Sequence, residues 1–462
     1  MDQEGGAAAF LLRQGGIDAQ KVAFWGSSLF TRAEYDHGHP IVAAPPASND
    51  IHWLSLAGAV VDRLRPGLVV VALNHNFKPP YPRDANGVEI SDLWSPRGRA
   101  MVVEQTKTFI RILRHDGARV AFVTPPPDGS EHAPTDNAIW AATLPVLQAE
   151  HVSVIDIAPA VAGANGGRTE RAPDCRGDLV AIRKPREVHY TRYGAGLAAT
   201  ALAQGVAALL HRTLPDATAP GDHAVALVPT ATGTGYWIVQ CDGSVYHVGD
   251  AARVNGVKRT HQPFVAAVAA RPRGLWVVAR DGTVVPTGGA PTLSFAAPVV
   301  GPIVAATGTP DGKGVVEVTA HGAVRSSETR TTTDVPLTHV VAVTNGGAWL
   351  VDDAGHGAGG PPGSSPDPPV AAAIAVGNGL LLAGADGSIA ARGDASGGCD
   401  AKARALPDAV RGVLKATTLP VVTALAAAPN GGYWIMRDNG AVIACNGAAN
   451  LGGSGNLALF TN

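Results

Sequence analysis

Two short stretches carry a nucleophile and a base able to act together, and a third lies between them. The first, Val22-Ala23-Phe24-Trp25-Gly26-Ser27-Ser28-Leu29, is an apolar run ending in Gly-x-Ser. A serine hydroxyl is a poor nucleophile at its free pKa and needs a base to take its proton. Such a base stands in Glu187-Val188-His189-Tyr190-Thr191, directly ahead of a helical pattern over 194–211. Between them, the run LVVVAL at 68–73 leads into Asn74-His75-Asn76 on the loop at the strand end. Each residue also has an ordinary structural role. Ser28 is of a helix-capping type, and Asn74 and Asn76 suit turns that need left-handed backbone.

These side chains need a frame. Apolar runs at 22–25, 68–73, 119–124 and 152–157 read as four strands buried on both faces. Patterns with apolar residues three and four apart lie between and after them, at 54–64, 100–114, 139–150 and 194–211. The alternation predicts a parallel sheet covered by helices on two sides, a three-layer α/β domain over residues 15–213. In such a sheet a serine after the first strand and a histidine before the last helix share the carboxyl edge, where open α/β folds bind ligands. The amide groups opening the helix after Ser28 add an anion-stabilising site.

This layout resembles the SGNH (GDSL-type) hydrolase family over about 20–212, whose first block is Gly-Asp-Ser and whose last is Asp-x-x-His before a helix. The resemblance implies Ser28 as nucleophile and His189 as base. Asn74, with Asn76 as the alternative, would be the oxyanion donor beside the Ser28 N–H. The chain departs from the pattern at three points. Ser27 stands where the family has Asp, which makes it a second candidate nucleophile, and Arg186 stands three residues before His189 in place of the acid. Glu187 is then the nearest carboxylate to orient the imidazole, with Asp174 and Asp178 as substitutes. A Ser–His dyad oriented by a backbone carbonyl is the other arrangement. The family's glycine block has no clear match, and Ser48-Asn49 or Gly58 would have to serve. The implied reaction is hydrolysis or transfer of an acyl ester, with a carbohydrate O-acetyl group as candidate substrate. The alternative is a non-catalytic glycan- or protein-binding protein carrying a degenerate SGNH domain.

After a Pro- and Gly-punctuated linker at 214–222, the helical pattern vanishes and a repeat fills 223–462. An aromatic or apolar strand leads each time into a turn: Asp242-Gly243, Asp281-Gly282, His321-Gly322, Ala354-Gly355, Asp386-Gly387 and Asn439-Gly440. Asp-Gly and Asn-Gly suit type I′ hairpins. Six units of about 40 residues predict a six-bladed, four-stranded β-propeller. They resemble bacterial repeats written GYWL…DGGVF, best seen in GYWIVQCDGSVYHVGDA at 235–251 and poorest at 315–325. Trp237, Trp276, Trp349 and Trp434 recur at equivalent positions, either as a ring that stacks sugars or as core packing. Within the resemblance the propeller would bind a polymeric substrate or a protein.

Composition narrows the classes further. The 462 residues hold 36 Lys+Arg against 38 Asp+Glu, with 46% hydrophobic and 16% charged, which excludes disorder and supplies no basic excess for nucleic acid. The chain as given shows no apolar stretch long enough to span a bilayer and no basic leader at its start, so the compartment is left open, with an extracellular or cell-envelope setting the one the resemblance suggests. Four cysteines without CxxC spacing argue against a zinc site, and Cys399 with Cys445 is the most plausible bridged pair. Asp36-His37-Gly38-His39 with Asp50 and His52 reads as loop residues rather than metal ligands. No nucleotide-binding glycine motif is present, so neither cofactor nor metal is expected.

Overall fold

In the computed structural model the chain is described at 8–20 (except 10), 35–36, 39–40, 52–72, 88–127 (except 115–116), 133–183, 189–214, 224–257, 262–298 (except 272 and 297), 301–328, 333–334, 340–344, 349–365, 369–399 and 422–453 (except 439). It divides into two compact units. One comprises 1–13, 17–172 and 180–213, and the other 14–16, 173–179 and 214–462.

The first unit is built on a parallel sheet of β1 (Leu68–Val71), β2 (Arg119–Val123) and β3 (Ser153–Ile155), in that order. Strand β2 is the middle one, and its apolar run is used on both sides: Val120, Ala121, Phe122 and Val123 are all buried. Helices α1 (His52–Leu64), α2 (Pro96–Leu113) and α3 (Ala133–Ala149) pack in one core with Val71, Val120 and Phe122, where Phe109 meets Phe122 edge-on at 6.3 Å. Burying each such side chain stabilises by about 1.5–3 kcal/mol. Helix α2 starts four residues earlier than its apolar periodicity predicts, because Ser95 caps it by accepting from Gly98 N and Pro96 is preorganised for a first turn. A short helix α4 (Ala158–Val161) follows β3, and a small hairpin of β4 (Arg171–Pro173) and β5 (Leu179–Ala181) precedes the last helix, α5 (Arg192–Leu209). Alanines 195, 198, 199 and 203 are fully buried on α5, and their small size lets it lie close to β3 and α4.

The described residues of the second unit form six antiparallel sheets in sequence. They are β6 (Ala224–Pro229), β7 (Gly235–Gln240) and β8 (Val245–Gly249); β9 (Phe264–Ala269), β10 (Leu275–Ala279) and β11 (Val284–Thr287); and β12 (Ile303–Gly308), β13 (Val315–Thr319), β14 (Ala323–Ser326) and β15 (Thr333–Asp334). The others are β16 (Val340–Thr344), β17 (Trp349–Asp352) and β18 (Gly357–Ala358); β19 (Val370–Val376), β20 (Gly379–Gly384) and β21 (Ile389–Arg392); and β22 (Val422–Ala427), β23 (Tyr433–Arg437) and β24 (Val442–Cys445). Every first strand shifts register one residue in, as between Ala224 and Ala226 or Val422 and Ala424. The leading N–H of each first strand donates to the carbonyl just past the middle strand of the preceding sheet, for example Phe264 N to Cys241 O (2.9 Å) and Ile303 N to Arg280 O (2.8 Å), and Ala224 N donates to Asp438 O (2.8 Å).

The turns differ from the type I′ form expected. Gly243, Gly282, Gly322, Gly355, Gly387 and Gly440 have φ between 75° and 94°, but Asp242, Asp281, His321, Ala354 and Asp386 do not share the left-handed region that a type I′ turn requires of both central residues. Gly243 N donates to Gln240 O and Gln240 N to Ser244 O, the pattern of a type I turn closed by a glycine in a one-residue bulge. Aspartate suits the position before the glycine because Asp242, Asp281 and Asp386 each accept the N–H two residues on, at 2.9 Å.

The fold class expected from the sequence is therefore corrected on both halves. Among the described residues the N-terminal parallel sheet has three strands where four were expected, and the segment at 22–25 lies outside those residues. The C-terminal half is a set of small separate sheets. Among the described residues five have three strands and one has four, so the run of four-stranded blades expected of a propeller is not formed by them, and none of these sheets closes into a barrel. The sequence overstates the strand number because a 40-residue period fixes the repeat but not how many of its residues pair. The unit of weakest repeat likeness, at 315–325, forms the four-stranded sheet among the described residues. Among the described residues no helix is long and apolar enough to cross a membrane.

Candidate functional site

The carboxyl ends of β2 and β3 are stitched together. Thr124 N donates to Ile155 O (2.9 Å), and Thr124 Oγ1 donates to Asp156 Oδ1 (2.7 Å) while accepting from Ile157 N (3.0 Å). Asp156 Oδ1 also accepts from Ala158 N (3.0 Å), so this carboxylate starts α4. The loop leaving β2 then runs through Thr124-Pro125-Pro126-Pro127.

His189 is delivered to this edge by the start of α5. Thr191 caps the helix, accepting from Gly194 N (3.2 Å), and its hydroxyl donates to Ala181 O (2.7 Å) while its N–H donates to Ile182 O (3.0 Å). Glycine is required at 194, because a Cβ there would stand 2.0 Å from the Ile182 carbonyl oxygen. Arg183 and Tyr190 pair as an isolated antiparallel bridge. The Arg183 side chain is 2% exposed; its Nη2 donates to Pro127 O (3.0 Å) and to Tyr190 Oη (3.3 Å), and its guanidinium lies 4.5 Å over the Tyr190 ring. His189 sits between these anchors, itself exposed to solvent. An exposed imidazole on a fixed backbone can exchange protons with a bound substrate.

Of the residues predicted for the site, His189 falls among the described residues, as do the substitutes Asp174, Asp178 and Gly58. Ser27, Ser28, Asn74, Asn76 and Glu187 lie outside them, as does Arg186. Asp174 and Asp178, the substitute acids, lie in the turn between β4 and β5. Asp174 accepts there from Arg176 N (2.8 Å) and Asp178 N (2.9 Å), so its carboxylate already serves its own loop. Asp36 and His39 belong to a two-residue antiparallel pairing of Tyr35–Asp36 with His39–Pro40, and His52 opens α1, which corrects their reading as loop residues. Sequence reasoning passed over Arg183 and Tyr190. Their signal was an arginine directly after the apolar run LVAI at 179–182, seven residues before a tyrosine. A cavity of about 330 Å³ lies at the other end of the sheet, lined by Arg114, Arg119, His151 and Ser153 among others. Its arginines are engaged, Arg114 with Glu150 and Arg119 with the Leu209 carbonyl.

In the second unit three of the four recurring tryptophans have a structural role. Trp237, Trp276 and Trp434 are buried, and each Nε1 donates to the carbonyl fifteen residues on, at Ala252, Pro291 and Ala449 (2.7–2.8 Å). Glu317 occupies a middle-strand position held by Ile238, Val277, Leu350, Leu382 and Ile435 in the other sheets. It is fully buried and pairs with Arg325, which also donates to Gly282 O (2.7 Å) and stacks 4.2 Å over Phe295. Burial pushes the Glu317 carboxyl up, against the opposing pull of Arg325. On an exposed edge, Asp250 accepts from the hydroxyls of Thr230, Thr232 and Thr234, with Thr232 and Thr234 foremost in holding its carboxyl below the usual range.

Residues 48–205, which span β1 to β3 and most of α5, match a family described as a protein of unknown function (DUF459). No curated protein matches the chain.

Proposed function

We propose that the first unit is an acyl-ester hydrolase or acyltransferase using a Ser–His nucleophile pair, with an O-acetylated carbohydrate as its substrate class. The observation that carries this reading is the anchoring of His189: an exposed imidazole ahead of α5, tied through Tyr190 and Arg183 to the loop leaving β2 at the carboxyl edge of the sheet. Ser28 Oγ attacks the ester carbonyl while His189 accepts its proton. The tetrahedral oxyanion is held by the Ser28 N–H and the Asn74 amide, with Asn76 the neighbouring alternative. His189 then returns the proton to the leaving alkoxide, and the acyl group passes from Ser28 to water or to an acceptor hydroxyl. Glu187 is assigned the orientation of the imidazole, and Ser27 is the second candidate nucleophile. The six-sheet unit is assigned to substrate or partner binding.

Hydrolysis of p-nitrophenyl acetate by the full chain, beside Ser27→Ala, Ser28→Ala and His189→Ala, tests the assignment. Turnover should fall by about a thousandfold or more in Ser28→Ala and His189→Ala and persist in Ser27→Ala. Equal background rates in all four proteins would reject the assignment and leave a binding protein as the reading to pursue.

A further inference from the structure

Arg183 is an unusual residue to bury, since a guanidinium carries five donors and cannot shed its charge. Here the carbonyl of Pro127, the hydroxyl of Tyr190 and the face of the Tyr190 ring receive it. Two of these three contacts fall on the residue next to His189, and the third falls on the loop leaving the central strand β2. The backbone repeats the arrangement, because Arg183 and Tyr190 are bridge partners and Thr191 N bonds to Ile182 O. Both ends of the 183–190 segment are thus closed on each other, and Arg183 registers the closed end against the sheet edge.

We infer that Arg183 is the positioning residue for His189, setting where the imidazole stands relative to substrate bound at the carboxyl edge. The inference rests on the proposed hydrolase reading for its catalytic consequence. It does so through geometry alone, with Arg183 touching neither substrate nor reacting atoms. Misplacing a catalytic group by about 1 Å can cost about a hundredfold in rate, so a clamp of this kind acts on kcat more than on KM.

The test uses the full chain with Arg183→Met, Arg183→Lys and Tyr190→Phe, each checked for an intact thermal transition. Kinetics on p-nitrophenyl acetate should show kcat lower by about a hundredfold in Arg183→Met with KM changed less than about threefold. Arg183→Lys should recover part of the loss by restoring one donor. Tyr190→Phe removes only the hydroxyl acceptor, is the mildest on folding, and should lower kcat by about three- to tenfold. The His189 ring signal in an NMR spectrum, identified by its loss in His189→Ala, gives a readout independent of turnover. It should shift or broaden in Arg183→Met and Tyr190→Phe while the other histidine signals stay in place. Wild-type turnover retained in both variants, or a His189 signal unmoved in folded Arg183→Met and Tyr190→Phe, overturns the positioning role. An inert wild type with a His189 signal that still moves rejects the hydrolase reading and upholds the clamp.

Discussion

At the residue scale the chain builds its candidate site from close approaches as much as from reactive groups. Gly194 brings the first turn of α5 against the Ile182 carbonyl, which lets Thr191 reach Ala181 and sets the backbone that carries His189. Gly194→Ala should cost about 1–3 kcal/mol in urea unfolding, because the added Cβ meets backbone rather than a movable side chain. The histidine and its helix were legible in the sequence because a buried helix after a polar block has a clear periodicity. Arg183 and Tyr190 were not, because their partnership depends on a bridge between residues seven apart and on a carbonyl from a distant loop. The tryptophans were legible as a repeat, and their donation to a carbonyl fifteen residues on explains why the spacing recurs.

At the scale of elements, the recurring unit is a hairpin turned by a left-handed glycine, with a bulged first strand beside it. The repeat and its glycines could be read from the chain, whereas the turn type could not, since it depends on whether one or two residues take positive φ. The third sheet shows how a departure from the repeat is accommodated, with Glu317 replacing an apolar residue and Arg325 meeting it. Arg325→Met alone should destabilise the protein by about 3–5 kcal/mol by leaving a buried carboxylate unpaired. The double variant Glu317→Leu/Arg325→Met should return to near wild-type stability in the same unfolding assay. In the first sheet, Asp250 gives a pH prediction. Its carboxyl is held below the ordinary 3.8 in the folded state, so its contribution is present above that value and is lost as pH falls through the folded value. Between about pH 5 and about pH 2.5 the wild-type thermal midpoint should therefore drop further than that of Asp250→Asn.

Over the whole molecule, a helix-and-strand half gives way to an all-strand half, a division already visible where hydrophobic periodicity changes after residue 213. The number of strands in each sheet was not visible, because strands as short as Thr333–Asp334 or Gly357–Ala358 carry no period of their own. Covalent links complete the second unit. Cys175 bonds to Cys241 and Cys399 to Cys445, with Cα–Cα distances of 5.9 and 5.4 Å. The second pair was expected from the sequence and the first was not, since nothing in residue spacing joins positions 66 apart. Replacing Cys399 and Cys445 by serine should lower unfolding free energy by about 2–4 kcal/mol, read by denaturant titration of the oxidised protein.

The proposed hydrolase chemistry turns on Ser28 acting as a nucleophile activated by His189. Labelling of the intact chain with a fluorophosphonate, mapped by peptide mass spectrometry, addresses it most directly, because only an activated serine reacts with such a probe. The account predicts one adduct, on Ser28, formed in wild type and lost in His189→Ala. No adduct, or equal labelling in His189→Ala, would contradict it.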